Sequence, residues 1–202
     1  MSKKLIFYIV FFAVLTVGFF VALGAFVPGI FDKKTAPIGQ VRSFQFINQD
    51  GETVTEKDIA GKVAAVEYFF TTCKGICPRL NNNLKKVYEA YRDEKNFVIL
   101  SHTSDPEVDN PEKLKAYAAS LQVNTDKWVF LTGRKDSLYN MARFSYKIDD
   151  PANNLKSIND DFLHTQFIAL VNKKGDVVKV YDGLKESEMK EMIREIKKLL
   201  KE

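Results

Sequence analysis

Two hydrophobic patterns divide the chain. From Leu5 to Val27 there are 23 consecutive uncharged residues, entered through Lys3-Lys4 and left through Pro28-Gly29. A bilayer core takes a helix of about 20 apolar residues, whereas the core of a secretory signal runs to about 7–15. The run is therefore read as a signal anchor, although Ala22-Leu23-Gly24 offers small residues at the spacing of a cleavage site. No cysteine lies beside it for lipoprotein processing. The positive-inside rule keeps Lys3 and Lys4 cytoplasmic and puts the following domain outside.

Beyond a linker over residues 28–42, apolar positions recur with the periods of strands and helices. Ser43-Phe44-Gln45-Phe46-Ile47 alternates, turns through Asn48-Gln49-Asp50-Gly51 and returns as Glu52-Thr53-Val54, which predicts a β-hairpin. A helical turn over Thr55 to Ile59 is closed by Gly61. Val63 to Phe70 is almost continuously apolar, the pattern of a strand buried on both faces. After a loop to Cys77, Pro78 is placed to open a helix that carries Leu80, Leu84, Val87, Tyr88 and Tyr91. Further strands are predicted at Phe97–Leu100 and Trp128–Leu131. Helices are predicted from Pro111 to Leu121 and from Leu138 to Phe144. Ser145 to Leu163 is irregular and polar, long enough to be functional. A hairpin over Phe167–Val180 and an amphipathic helix over Ser187–Leu200 close the chain. Strand–helix alternation gives parallel pairing, and the last hairpin adds an antiparallel edge. The fold class is α/β: a thioredoxin-like domain over residues 43–202 with an N-terminal β-hairpin extension, preceded by one transmembrane helix over residues 5–27.

Composition adds one exclusion. The net charge is +4, of which Lys3 and Lys4 supply two. The remainder is close to neutral and has no basic run interleaved with aromatics, so nucleic acid is not expected as a partner.

The chain has two cysteines, Cys73 and Cys77, in the loop between the buried strand and the following helix. Sites form at this carboxyl-end crevice of open α/β sheets. The helix N-terminus and Lys74 are expected to favour thiolates, which serve metal binding and disulfide exchange alike. Two thiolates fall short of a closed zinc site, and the chain offers only two histidines. His164 precedes a strand and can overhang the loop, while His102 ends its strand at the same edge and is read as a supporting neighbour. Two thiolates and one imidazole suit one copper ion, Cu(I) above all, with Cu(II) also accommodated. A plain disulfide and a redox-active pair remain open beside the metal site.

The motifs extend further. Asp50-Gly51 followed by Gly61-Lys62-Val63, Phe70-Thr71-Thr72-Cys73-Lys74-Gly75-Ile76-Cys77-Pro78, Asp105-Pro106-Glu107-Val108-Asp109-Asn110-Pro111, and Asp161-Phe162-Leu163-His164 before Phe167–Val171 together resemble the Sco/SenC family of copper chaperones. The resemblance covers most of Phe44 to Gly183. It implies a thioredoxin fold that binds copper through Cys73, Cys77 and His164, with Asp105 as an acid near the site. It also implies assembly of the binuclear copper centre of cytochrome c oxidase, by copper delivery or thiol reduction. The expected partners are then the copper-bearing subunit of that oxidase or its assembly factors. The family often carries a trio such as Pro-Asp-Val between the cysteines, where this chain has Lys74-Gly75-Ile76. A membrane-tethered thiol–disulfide oxidoreductase that uses Cys73 and Cys77 without metal is the alternative. A peroxidase is disfavoured because Thr71-Thr72-Cys73 lacks the T-x-x-C spacing, and a docking sensor is not separable by sequence. The short N-terminus points to a bacterial plasma membrane, with the domain on the periplasmic or extracytoplasmic side. A reporter fused after Glu202 is expected to be active only outside the cytoplasm; cytoplasmic activity refutes the anchor.

Overall fold

The computed structural model describes residues 2–26, 36–150, 152 and 162–202. Most of the expected linker, and Asp160 and Asp161 of the polar loop, lie outside the described residues. The chain divides into two compact units, Met1–Thr35 and Ala36–Glu202. In the first, helix α1 spans Lys3–Phe26 with no buried residue. It is long and apolar enough to be a candidate membrane span.

The second unit is built on one sheet. Its described strands are β1 (Gly39–Gln40), β2 (Gln45–Asn48), β3 (Thr53–Thr55), β4 (Val63–Phe69), β5 (Phe97–Thr103), β6 (Trp128–Thr132), β7 (Phe167–Val171) and β8 (Asp176–Asp182). Their order is β1-β8-β7-β4-β5-β6-β2-β3. The described α-helices of this unit are α2 (Ile76–Tyr91), α3 (Pro111–Leu121), α4 (Lys135–Asn140) and α5 (Glu186–Leu199), and the turn expected over Thr55 to Ile59 is a 3-10 helix over Glu56–Ile59. β4 pairs parallel with β5 and antiparallel with β7. All seven of its residues are buried. Because side chains alternate across a strand, Val63, Ala65 and Phe69 join Leu80, Leu84, Leu114, Trp128 and Ile196 under α2, α3 and α5. Ala64, Val66 and Tyr68 join Phe44, Phe46, Leu138 and Tyr146 on the opposite face. This is the two-sided burial that the apolar run predicts, and the hairpin β2–β3 adds to β6 antiparallel.

The departures from expectation are local. β1, inside the stretch read as linker, pairs with β8. A side chain on Gly39 would run into the Ser145 carbonyl, so only glycine lets the chain lie there. Helix α2 opens at Ile76, ahead of Pro78, and takes Cys77 into its first turn. Proline is tolerated there because first-turn N–H groups have no intrahelical acceptor. β5 runs three residues past Leu100, since Ser101 and His102 are accommodated inside the sheet. The helix expected over Leu138–Phe144 is α4 followed by one π-turn, Met141–Ser145.

Two buried ionisable groups sit on opposite faces of the sheet. Glu67 accepts a hydrogen bond from Ser101 Oγ at 2.6 Å, and Ser101 in turn accepts one from Trp128 Nε1 at 2.7 Å. With the Asn81 amide oriented so that its oxygen accepts from the Tyr117 hydroxyl at 2.6 Å, its nitrogen donates to Glu67 at 2.9 Å. Burial pushes the Glu67 carboxyl up to about 8, against the pull of Ser101. His102 lies between the rings of Phe44, Phe46, Tyr68 and Tyr146 at centroid distances of 5.0–6.4 Å. Its ring nitrogens have no hydrogen-bond partner among the described residues. Burial lowers its pKa to about 3, against the opposing pull of the Glu67 backbone.

The two groups tilt stability in opposite directions with pH. Folded Glu67 holds a proton that the unfolded chain releases above its ordinary 4.5, so its contribution is full below 4.5 and lost as pH rises through about 8. His102 contributes fully above 6.5 and loses that contribution as pH falls toward 3, because only the unfolded chain takes the proton. Each slope approaches about 1.4 kcal/mol per pH unit. Urea melts across this range are expected to show Glu67→Gln flattening the alkaline arm and His102→Phe the acid arm. An unchanged arm would refute burial of that group.

Candidate metal centre

The site grows from the carboxyl end of β4. Phe70 follows the strand, and its carbonyl accepts the Cys73 N–H at 3.2 Å, closing a tight turn. Thr71 within this turn is pinned by Asp109. The buried Asp109 carboxylate accepts the Thr71 N–H at 3.1 Å, the Thr71 hydroxyl, and the Thr103 hydroxyl at 2.6 Å. These bonds tie the cysteine loop to the segment after β5. Asp105 shapes that segment through its backbone, its carbonyl accepting the N–H groups of Val108 and Asp109. The acid that reaches the cysteine loop is therefore Asp109, the second aspartate of the Asp105-Pro106-Glu107-Val108-Asp109 motif. The motif itself was the available signal for it.

The two thiols are free and side by side, but they are not equivalent. Cys73 is half-buried, which by itself would raise its pKa. The Cys77 thiol and the backbone N–H groups of Cys77, Gly75 and Ile76 outweigh this and bring it below the ordinary thiol value. Cys77 is buried, and desolvation, together with the proton it donates to Cys73, pushes it up to about 12. The helix N-terminus thus favours one thiolate rather than the two expected. Lys74 and Gly75 are exposed between them.

His164 is exposed, and its ring meets Phe70 edge-on at 5.8 Å. Phe162 meets the same ring at 5.1 Å. The structure therefore places His164 beside the residue that opens the cysteine loop. Among the described residues, no three His, Cys, Asp or Glu side chains stand close enough to hold a metal ion. His102 belongs elsewhere. It is on the opposite face of the sheet from Cys77, among aromatic rings, so it does not support the cysteines. Glu67 lies on the Cys77 face, hidden to sequence reading by the apolar run around it; once ionised, it raises the Cys77 pKa further.

The chemistry of the donors fits a thiophilic ion: a sulfur pair poised as one thiolate and one thiol, with an unencumbered imidazole nearby. The same pair fits thiol–disulfide exchange, in which one thiol attacks and its neighbour resolves. Fold and site together define a thioredoxin-like dithiol domain preceded by an apolar helix. The SCO1/SenC family profile matches residues 33–201, and the chain belongs to that family. It is 31% identical over 159 residues to the SCO1 protein homolog of Bacillus subtilis, covering 78% of this chain and 81% of that protein. The solved structure of BsSco, a member of the Sco family of cytochrome c oxidase assembly proteins for which a disulfide switch is described, superposes with a TM-score of 0.69. It is 28% identical and covers 84% of this chain and 98% of that one. Arabidopsis thaliana ScoI, solved with copper bound, is 25% identical with a TM-score of 0.62, covering 81% and 98%.

The inequality of the thiols has a direct readout. In the reduced full chain, iodoacetamide is expected to modify Cys73 at least about tenfold faster than Cys77, since each pKa unit changes the thiolate fraction about tenfold. Trypsin cleaves after Lys74 and puts the two cysteines on separate peptides for mass spectrometry. Equal rates would contradict the division.

Proposed function

We propose that this chain is a membrane-anchored copper metallochaperone that receives one copper ion on Cys73, Cys77 and His164. It serves assembly of the binuclear copper site of cytochrome c oxidase, by passing the ion on or by reducing the acceptor's cysteines. The observation that carries the reading is the free cysteine pair at the start of α2, with the exposed His164 against the ring of Phe70. Membership of the SCO1/SenC family supports it, as does copper in the Arabidopsis thaliana relative.

The residues act in sequence. Cys73, the more acidic thiol, engages the ion first. Cys77 then loses its proton as its sulfur joins, which couples uptake to proton release. His164 closes over the pair from the strand side. Because it is exposed, it is also the donor an acceptor protein reaches first. α1 tethers the domain to the membrane, outside the cytoplasm. Oxidation of the pair to a disulfide removes both sulfur ligands, so copper loading requires the reduced state.

A second reading, a thiol–disulfide oxidoreductase without obligatory metal, is favoured by the unequal thiols, which suit attack by Cys73 and resolution by Cys77. A Cu(I) titration of the reduced full chain in detergent separates the two readings. One copper per chain is expected. His164→Ala is expected to weaken binding by more than the roughly 10–100-fold that loss of an outer-shell partner costs, while leaving the Cys73–Cys77 reduction potential unmoved. Copper binding indifferent to His164 would sink the three-ligand site and leave the oxidoreductase.

A further inference from the structure

His164 has no side-chain tether of its own: among the described residues no hydrogen bond holds its imidazole, and its ring contact is Phe70. Its position relative to the cysteines must then be set by the backbone that carries it. Among the described residues, one hydroxyl holds the backbone N–H just before His164. The Leu163 N–H donates to Tyr139 Oη at 3.0 Å, and Tyr139 Oη donates to the Ser104 carbonyl at 2.8 Å, both in buried surroundings. The Ser104 N–H donates to the Phe69 carbonyl at 2.7 Å. Phe69 ends β4, and the next residue, Phe70, accepts the Cys73 N–H. A continuous run of hydrogen bonds thus leads from the neighbour of His164, through Tyr139, to the strand end from which the cysteine loop springs.

The tyrosine is itself firmly placed. Its ring is buried under the Arg143 guanidinium at 5.5 Å, and Arg143 Nε donates to Asp149 at 2.7 Å. The Ile148 N–H donates to the Ala142 carbonyl at 3.0 Å, and the Thr165 hydroxyl donates to the Ile148 carbonyl at 3.1 Å. The π-turn after α4 therefore holds Ile148 and Asp149, and Thr165, just past His164, is tied back to Ile148. A buried tyrosine that merely fills space needs no acceptor role toward a loop amide. This one both accepts from the His164 segment and donates to the cysteine side.

We infer that Tyr139 is the positioning residue that fixes His164 against the cysteine loop, through the paired hydrogen bonds of its hydroxyl to Leu163 and Ser104. The inference rests on the copper reading above for the role of His164, and on the hydrogen bonds alone for the anchoring.

The test uses the full chain in detergent micelles and the isosteric Tyr139→Phe. In the metal-free wild type, the Leu163 amide is expected to exchange slowly with solvent deuterium. In Tyr139→Phe, exchange at Leu163 is expected to accelerate while the amides of β4 and β5 keep their protection. Cu(I) affinity is expected to fall about 10–100-fold, the cost of losing a residue that orients a ligand, with the Cys73–Cys77 reduction potential unmoved. Added to His164→Ala, the same substitution is expected to cost nothing more. Fast exchange at Leu163 in the wild type overturns the anchoring without any variant, so a poorly folding Tyr139→Phe leaves the proposal testable. A normal response to His164→Ala with wild-type affinity in Tyr139→Phe, or an equal loss in both backgrounds, overturns the assignment of Tyr139 alone. Wild-type affinity in His164→Ala defeats the copper reading instead, and the ligand role of this contact with it.

Discussion

Everything at the site depends on the burial of β4 between β5 and β7. A strand enclosed on both faces cannot shift by one residue without turning its core side chains to the wrong layer, so its register is fixed by packing. That register decides where the chain emerges. Phe70 leaves the sheet at the carboxyl end, the parallel neighbour β5 delivers Ser104 and Asp109 to the same end, and the antiparallel neighbour β7 begins there, preceded by His164. Three segments far apart in the chain are thereby brought together by strand direction alone. Hydrogen bonds accepted by Asp109 and relayed by Tyr139 then tie these segments to one another.

Much of this was legible from residue order. The continuous apolar run of β4, the Asn48–Gly51 turn, Pro111 behind its Asn110 cap and the amphipathic α5 all announce themselves through period or turn chemistry. Cys73, Cys77 and His164 were nameable because the chain has so few soft donors. The parts that were hidden depend on tertiary partners. Glu67 reads as an interruption of an apolar strand; only the approach of Ser101 and Asn81 explains how a carboxyl lies there. His102 reads as an edge residue beside the cysteines, because sequence does not reveal which face of the sheet a strand residue takes once the strand is extended. Tyr139 sits in an ordinary helical pattern, and nothing local marks its hydroxyl as the junction between two loops. Two-residue β1 has no period to detect.

The unequal thiols show how one helix terminus can treat neighbours differently. The N–H groups of the first turn converge on Cys73, which stands just before the helix, while Cys77 is wound into the turn and turned toward the core. Position by four residues therefore matters more than shared proximity to the dipole. The two sulfurs interact with each other yet differ in solvent exposure.

The seclusion of His102 has a practical consequence. The chain contains two histidines, and one is sealed inside the sheet among four aromatic rings while the other stands in solvent. An imidazole-directed acylating reagent applied to the native protein therefore has a single histidine to reach. Without any engineered tag, the acyl-imidazole signal of the native protein reports on His164 alone, and the sequence carries its own single-histidine probe.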